Sequence, residues 1–409
     1  MQRILQPQYV KKFKCIGSQC EDSCCMGWMI GIDRKTYKKY RELKNSELID
    51  KIKKYVSRNR SGFQGEHNYA KIKLENNSCP FLDENKLCSI QLEKGYTYLS
   101  SVCNTYPRVF NRVNGQLEKS LNISCPEAAR LILLNEKIME FEEVYEETDI
   151  PYIIYKELNT NDMFMNSKLE KYFWDIRKFT ISLLQNRKYE LWERLSILGL
   201  LIKNIEKEIK DKSLCNIPNI ILKYSKYLEN NNLKEEMNKI PSENNIQIKL
   251  LKEIADKRQL FEIRNKKYIE LFSEFLKGLD YDENNDITQI VEKYNYSYKK
   301  YYSKFIVENE YMLENYCVNY IFKSTFPICE EKTIFDSYMM LVIHYSLIKM
   351  HLIGISAERK KITKDLVIEV VQSFAKTVEH NKIYLNYINN LMKENGFDNM
   401  AYMAILLKN

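Results

Sequence analysis

Eight of the eleven cysteines fall between Cys15 and Cys125, spaced Cys15-x4-Cys20-x3-Cys24-Cys25 and then Cys79-x8-Cys88-x14-Cys103-x21-Cys125. No other feature restricts the fold as much. Met1 to Lys14 carries no continuous apolar stretch of the secretory kind, so the expectation is a cytoplasmic protein. Thiols stay reduced in that compartment, and a dense cysteine cluster there points to metal rather than to disulfides. Soft thiolates are the ligands of choice for zinc and for iron–sulfur clusters. If Cys20 to Cys25 is helical, Cys20 and Cys24 share one face while Cys25 points about 100° away. That geometry leaves open one centre with supporting cysteines or two four-ligand sites. Free cysteine is also commonly just buried. Eight within 111 residues, with an adjacent pair and two Cys-Pro steps (Cys79-Pro80, Cys125-Pro126), argue against that plainer reading. Spacing does not separate zinc from iron, although the absence of a Cys-x2-Cys knuckle weakens the zinc-ribbon option. Cys215, Cys317 and Cys329 are read as ordinary helical residues.

Glycine and proline together make up under 5% of the 409 residues, against roughly 12% in average usage. Turn-rich β-sandwiches and barrels are therefore disfavoured and long helices favoured. Residues 1–130 nevertheless hold seven of the 11 glycines and four of the eight prolines, the mixture expected of loops pinned by side-chain ligands. Charge is uneven too: residues 1–130 carry 23 basic and 13 acidic side chains, the remainder 40 and 42. That local excess of ten positive charges is attributed in part to counter-charge for bound thiolates. From about residue 160 the apolar residues follow helical spacing, as in Leu191, Leu195, Leu198, Leu201, Ile202 and Ile205. Phe305–Phe322, Phe335–Ile353 and Leu366–His380 continue it. The fold class expected is mainly α: a cysteine-rich metal-cluster domain of loops and helices over 1–135, an acidic linker over 136–160, and an all-helical domain over 161–409. Within the first, Asp33 to Arg60 reads as a helix-rich insertion. The apolar stretch Met339–Ile355 carries His344, Lys349 and His351, and fits a core helix better than a bilayer span.

Several function classes drop out. No Gly-x-Gly occurs, which removes the dinucleotide fingerprint and the glycine loop of the commonest methyltransferase fold. There is no Gly-Lys-Ser/Thr and no His-Glu-x-x-His, and four histidines are too few for a His-rich zinc site. Cys20-x3-Cys24 opens like the radical S-adenosylmethionine motif, but position 27 is Gly27 where that motif needs a third cysteine. The basic run Lys35–Lys54 is interleaved with Glu42, Glu47 and Asp50, and reads as a solvated helix face rather than a nucleic-acid site.

Three stretches carry a family resemblance: FKCIGSQCEDSCCMGWMIGIDRKTYKKY (Phe13–Tyr40), CPFLDENKLCSIQLEKGYTYLSSVCNTYPRVF (Cys79–Phe110) and SCPEAARL (Ser124–Leu131). They resemble the flagellin lysine-N-methylase family, whose cysteine region is related to a wider zinc- or iron-chelating group. Glu314-Asn315-Tyr316, Asn319-Tyr320 and Phe326-Pro327 match more loosely. The resemblance implies methyl transfer from S-adenosylmethionine to flagellin lysines, flagellin as protein partner, and a [4Fe-4S] centre with zinc as runner-up. Cys15, Cys20, Cys24, Cys25, Cys79, Cys88, Cys103 and Cys125 are its candidate metal ligands; which four hold iron stays open. A lysine nucleophile must lose a proton from a group whose ordinary pKa is about 10.4. Tyr316 and Tyr320 are the candidates to orient it, and Asn315 and Asn319 the candidates for cofactor binding, although a buried hydrogen-bonding seam explains the same pattern. Arg108 is read as neutralising cluster charge, and His344 and His351 as satisfied core histidines. Neither nucleic acid nor membrane is expected as a partner. The alternative is a non-enzymatic metal-binding interaction or cluster-carrier protein.

Overall fold

The computed structural model describes all residues except 45–46, 61–64, 148–151, 161–167, 231, 259–260, 262 and 282–285. The chain divides into a first unit, Met1–Leu131 with Phe141–Glu157, and a second, Ile132–Glu140 with Leu158–Asn409.

The first unit is not only loops and helices. Its eight strands are β1 (Gln2–Pro7), β2 (Ile30–Ile32), β3 (Val56–Arg58), β4 (Ala70–Ile72), β5 (Arg108–Val113), β6 (Gln116–Leu121), β7 (Phe141–Glu146) and β8 (Ile154–Leu158). Five form one sheet in the order β7-β1-β6-β5-β8, and three form a second in the order β2-β4-β3. The β5–β6 hairpin turns on Asn114 and Gly115, both at positive φ, which Asn-Gly adopts at low cost. Residues 136–160, expected as an acidic linker, contribute β7 and β8 instead; residues 148–151 lie outside the described set. β7 pairs antiparallel with β1 along its whole length. Its acids meet the basic excess: Glu142 pairs with Lys11 at 2.9 Å, Glu143 with Arg3 at 2.5 Å and Glu146 with Lys119 at 2.5 Å. Part of the surplus positive charge of residues 1–130 is thus answered by a strand, not by thiolates.

Helices α1 (Arg34–Glu42), α2 (Leu48–Tyr55), α3 (Ser89–Lys94), α4 (Ser101–Thr105) and α5 (Pro126–Leu133, in this unit as far as Leu131) complete the first unit. A core of Ile30, Ile32, Tyr40, Ile52, Ile72, Phe81 and Ile90 sits against the three-stranded sheet. Asp33 organises it. Its carboxylate caps α1 by accepting from Thr36 N at 2.8 Å, and accepts from Ser101 N of α4 at 2.9 Å. Burial works against that charge, but these hydrogen bonds from Ser101 and Thr36 outweigh it and lower the pKa.

The second unit is helical throughout its described length apart from the end of β8: α6 (Phe173–Leu184), α7 (Leu191–Lys210), α8 (Ile217–Glu229), α9 (Asn232–Asn238), α10 (Asn244–Arg258), α11 (Lys266–Gly278), α12 (Ile287–Ser297), α13 (Ser303–Lys323), α14 (Ile334–Arg359), α15 (Lys364–Phe374), α16 (Lys382–Glu394) and α17 (Met400–Leu407). α14 is the axis. It is buried from Ile334 to Ala357, which explains why a soluble helix reads as long and apolar enough to cross a membrane. A capping box between Thr333 and Asp336 starts it. α11 approaches it closely where Gly278 meets Gly354: a Cβ on Gly278 would run into the Gly354 carbonyl, and one on Gly354 into the Phe275 ring.

Candidate functional site

In the first unit a cavity of about 220 Å³ gathers every cysteine of the predicted set except Cys79. The chain from Cys20 to Cys25 is not helical; a 3-10 turn ends at Gln19, Cys20 is extended, and Cys24 and Cys25 sit in a turn. Cys25 and Cys79 are joined by their backbones, Cys79 N donating to Cys25 O at 2.8 Å. Cys88 immediately precedes α3, and its sulfur faces the N–H groups of Ile90 and Gln91. Cys125 stands likewise before α5, its sulfur facing the N–H groups of Glu127 and Ala128. Phe81 N–H serves Cys79 in the same way. Cys103 lies in α4, its own N–H bonded to the Ser100 hydroxyl at 3.3 Å.

All eleven cysteines are free thiols. Burial, reinforced by neighbouring thiols, raises the pKa of Cys79 to about 11 and those of Cys103 and Cys125 to about 12. Cys25 is pushed up further by its hydrogen bond with Cys24, then by burial. Such a set stays protonated at neutral pH unless a cation joins it, and a bound metal reverses the balance. Among the described residues, no three His, Cys, Asp or Glu side chains stand at the spacing of a preformed metal site. The donor chemistry nevertheless fits a thiolate-ligated centre: converging sulfurs, with backbone N–H groups aimed at three of them. Arg108 borders the cavity near Cys15 and Cys125, its guanidinium 5.3 Å from the Phe13 ring centre, as its expected neutralising role requires. Trp28 donates from Nε1 to Cys24 O at 2.8 Å and meets Tyr106 edge-on at 5.1 Å.

In the second unit the four predicted positions on α13 separate. Asn315 donates from its amide to Asn135 O at 2.7 Å, and its Oδ1 is buried without a partner. Asn319 is buried. Tyr316 and Tyr320 face another group. The Tyr316 hydroxyl donates to Glu379 Oε1 at 2.7 Å, and Lys323 Nζ donates to Glu379 Oε2 at 2.8 Å. Burial opposes the Glu379 charge, but Lys323, His344 and these two hydrogen bonds hold its carboxyl down to about 2. Tyr320 lies edge-on to His344, ring centres 5.6 Å apart. His344 is not the satisfied core histidine expected: it is 2% exposed, and neither ring nitrogen has a hydrogen-bond partner. Burial keeps it neutral, with its pKa lowered to about 4. His351 accepts or donates through Nδ1 to Leu347 O at 2.7 Å, leaving Nε2 unpaired.

Residues 177–406 match the family model described as the FliB lysine N-methylase C-terminal domain. The chain belongs to the flagellin lysine N-methylase family. Two relatives span nearly the whole family length: a lysine-N-methylase of Salmonella typhimurium, 25% identical over 388 residues, and one of Salmonella choleraesuis, 24% identical over 388 residues, each match covering 92% of both chains. The flagellar biosynthetic protein FliU of Salmonella muenchen is 34% identical over 134 residues, 32% of this chain and 76% of that protein. No solved structure matches. The matched region holds all four α13 positions together with Lys323, His344 and Glu379. Sequence reasoning missed Glu379, which reaches Tyr316 from the π-helical turn Ala375–Glu379, 63 residues away. It also missed the buried ion pairs Arg194–Glu314, at 2.7 Å, and Arg187–Glu314, at 2.9 Å, although Glu314 opens one of the family-like stretches.

Proposed function

We propose that this protein is a cytoplasmic protein-lysine N-methyltransferase that moves a methyl group from S-adenosylmethionine to ε-amines of flagellin lysines. The observation that carries the reading is the family match through residues 177–406, joined to relatives named lysine-N-methylase aligned over 92% of the chain. In the reaction the amine nitrogen attacks the methyl carbon, and the sulfur–carbon bond breaks with its electron pair returning to sulfur. The amine must first be neutral, so a lysine whose ordinary pKa is about 10.4 gives up a proton. The Tyr316–Glu379 and Tyr320–His344 pairs are the groups assigned to receive and orient it. His344 is a neutral base in an apolar setting. The edges of Tyr320 and Tyr316 offer π-faces and hydroxyls to a developing methylammonium. Asn315 and Asn319 are assigned to the cofactor side. In the first unit the cysteines are assigned to a [4Fe-4S] centre, zinc being the alternative; when bound, a cluster supplies one-electron chemistry and a rigid thiolate frame.

The test is to incubate the protein with flagellin and S-adenosylmethionine and weigh the flagellin. Mass increments of single methyl groups on lysine peptides are expected; unmodified flagellin overturns the reading. Glu379→Gln and His344→Phe should each reduce the rate at least tenfold while leaving the fold intact by circular dichroism.

A further inference from the structure

We propose that the eight cysteines build two four-thiolate centres, an inner one of Cys25, Cys79, Cys88 and Cys103 and an outer one of Cys15, Cys20, Cys24 and Cys125. The inference rests on the thiolate-metal part of the reading above and resolves the choice that spacing leaves open.

Packing separates the two sets. Cys79 is a member of the apolar core formed by Ile30, Phe81, Ile90 and their neighbours, and Cys25, Cys88 and Cys103 pack against that same core. None of the other four does so. Backbone bonds fix the inner set: Cys79 N to Cys25 O at 2.8 Å, and Ser89 N to Phe81 O at 2.8 Å, which brings Cys88 back beside the Cys79 turn. Asp33 holds the N-terminus of α4, and with it Cys103, against α1.

The outer set is built on different pieces. Cys15 and Cys20 flank the 3-10 turn Gly17–Gln19, and Cys125 opens α5. Arg130 of α5 pairs with Glu21 and with Glu127, which ties α5 to the turn bearing Cys20 and Cys24. Arg108 lies between Cys15 and Cys125 as their cation. The charge neighbours agree with this division. Cys103 has Cys88, Cys24 and Cys79 beside it, whereas Cys125 has Cys20 and Cys24.

Cys24 neighbours both sets, and ligand counting decides its place. Zinc in structural sites and the common cubane cluster each take four protein ligands. The inner set has four without Cys24; the outer has three. The adjacent Cys24–Cys25 pair is then the seam between the centres, each residue serving its own. Cys15 and Cys24 are exposed and Cys79 is buried, so the outer centre is the accessible one.

The experiment uses the full chain purified without oxygen, analysed for iron, sulfide and zinc, and treated with EDTA over time. The expected result is metal for two centres, released in two phases. Cys20→Ser and Cys125→Ser should each halve the metal and abolish the fast phase; Cys88→Ser and Cys103→Ser should halve it and abolish the slow phase. Because an inner variant can fail to fold, the EDTA time course on the unaltered protein stands as an independent measure. Metal for one centre only, or loss of all metal in every variant with single-phase release, overturns the two-centre assignment. An unaltered protein with no bound metal overturns instead the metal reading on which it rests.

Discussion

The two units reach order by different physical routes. The second is consolidated by burial: α14 is enclosed from Ile334 to Ala357, and its neighbours pack on it at helix spacing. The first has three-residue strands, helices as short as five residues, and sulfurs converging on a cavity where apolar side chains would otherwise sit. Short elements around a small core do not stabilise themselves well, and bound metal commonly supplies the missing free energy. The contrast teaches where each unit is vulnerable. Removing metal should damage the first and spare the second, and this is the largest effect expected: structural zinc in small domains contributes on the order of 10 kcal/mol. Calorimetry of loaded and stripped protein should show one transition collapsing and the other unmoved. Two transitions that ignore metal would break the comparison.

The second unit has its own weak point, which is electrostatic. Glu314 and Arg194 have fully buried side chains and pair at 2.7 Å, with Arg187 as a second partner. Removing one partner of a buried pair typically costs about 3–5 kcal/mol because the remaining charge is stranded. Glu314→Gln should therefore cost that much in urea unfolding of the second transition alone. A loss under about 1 kcal/mol would show that water reaches Arg194. Next in size is Gly354→Ala. Its new Cβ would meet the Phe275 ring, and overpacking of this kind costs about 1–3 kcal/mol. Ala at Gly396, which has open space around it, is the control for packing, although its positive φ adds backbone strain of its own.

The same contrast sorts what the sequence made legible. The second unit was readable because a 3–4 apolar period is a direct record of helix burial; Phe335–Ile353 falls wholly within α14. The cysteine set was readable because residue type alone carries it. The sheets of the first unit were not, although Asn114-Gly115 between alternating runs is a hairpin signal that composition obscured. The acidic segment misled because charge density resembles a linker; the arginine and lysines that make β7 a paired strand, Arg3, Lys11 and Lys119, lie far away in sequence. Glu379 left no local trace at all. Its partners Tyr316 and Lys323 belong to a helix that precedes it by more than fifty residues, and no spacing rule spans that gap.

The smallest effect is a pH slope that belongs to the buried unit alone. Lys349 on α14 is 3% exposed, donates to Leu407 O at 2.6 Å, and has its pKa lowered to about 7 by burial. In the unfolded chain it titrates near its ordinary value of about 10.4. Below the folded pKa both states carry the proton, and the penalty of burying an ammonium is present in full. As pH rises through 7 the folded state sheds its proton while the unfolded state keeps it, so stability increases until the unfolded pKa is passed. Between pH 7 and pH 8 the unaltered protein should gain about 1 kcal/mol relative to Lys349→Met, whose buried thioether does not titrate. The measurement is the urea midpoint of the second transition for both proteins at the two pH values. Parallel shifts would mean that Lys349 is already neutral or hydrated at pH 7, and the second unit would then resemble the first in admitting solvent to its core.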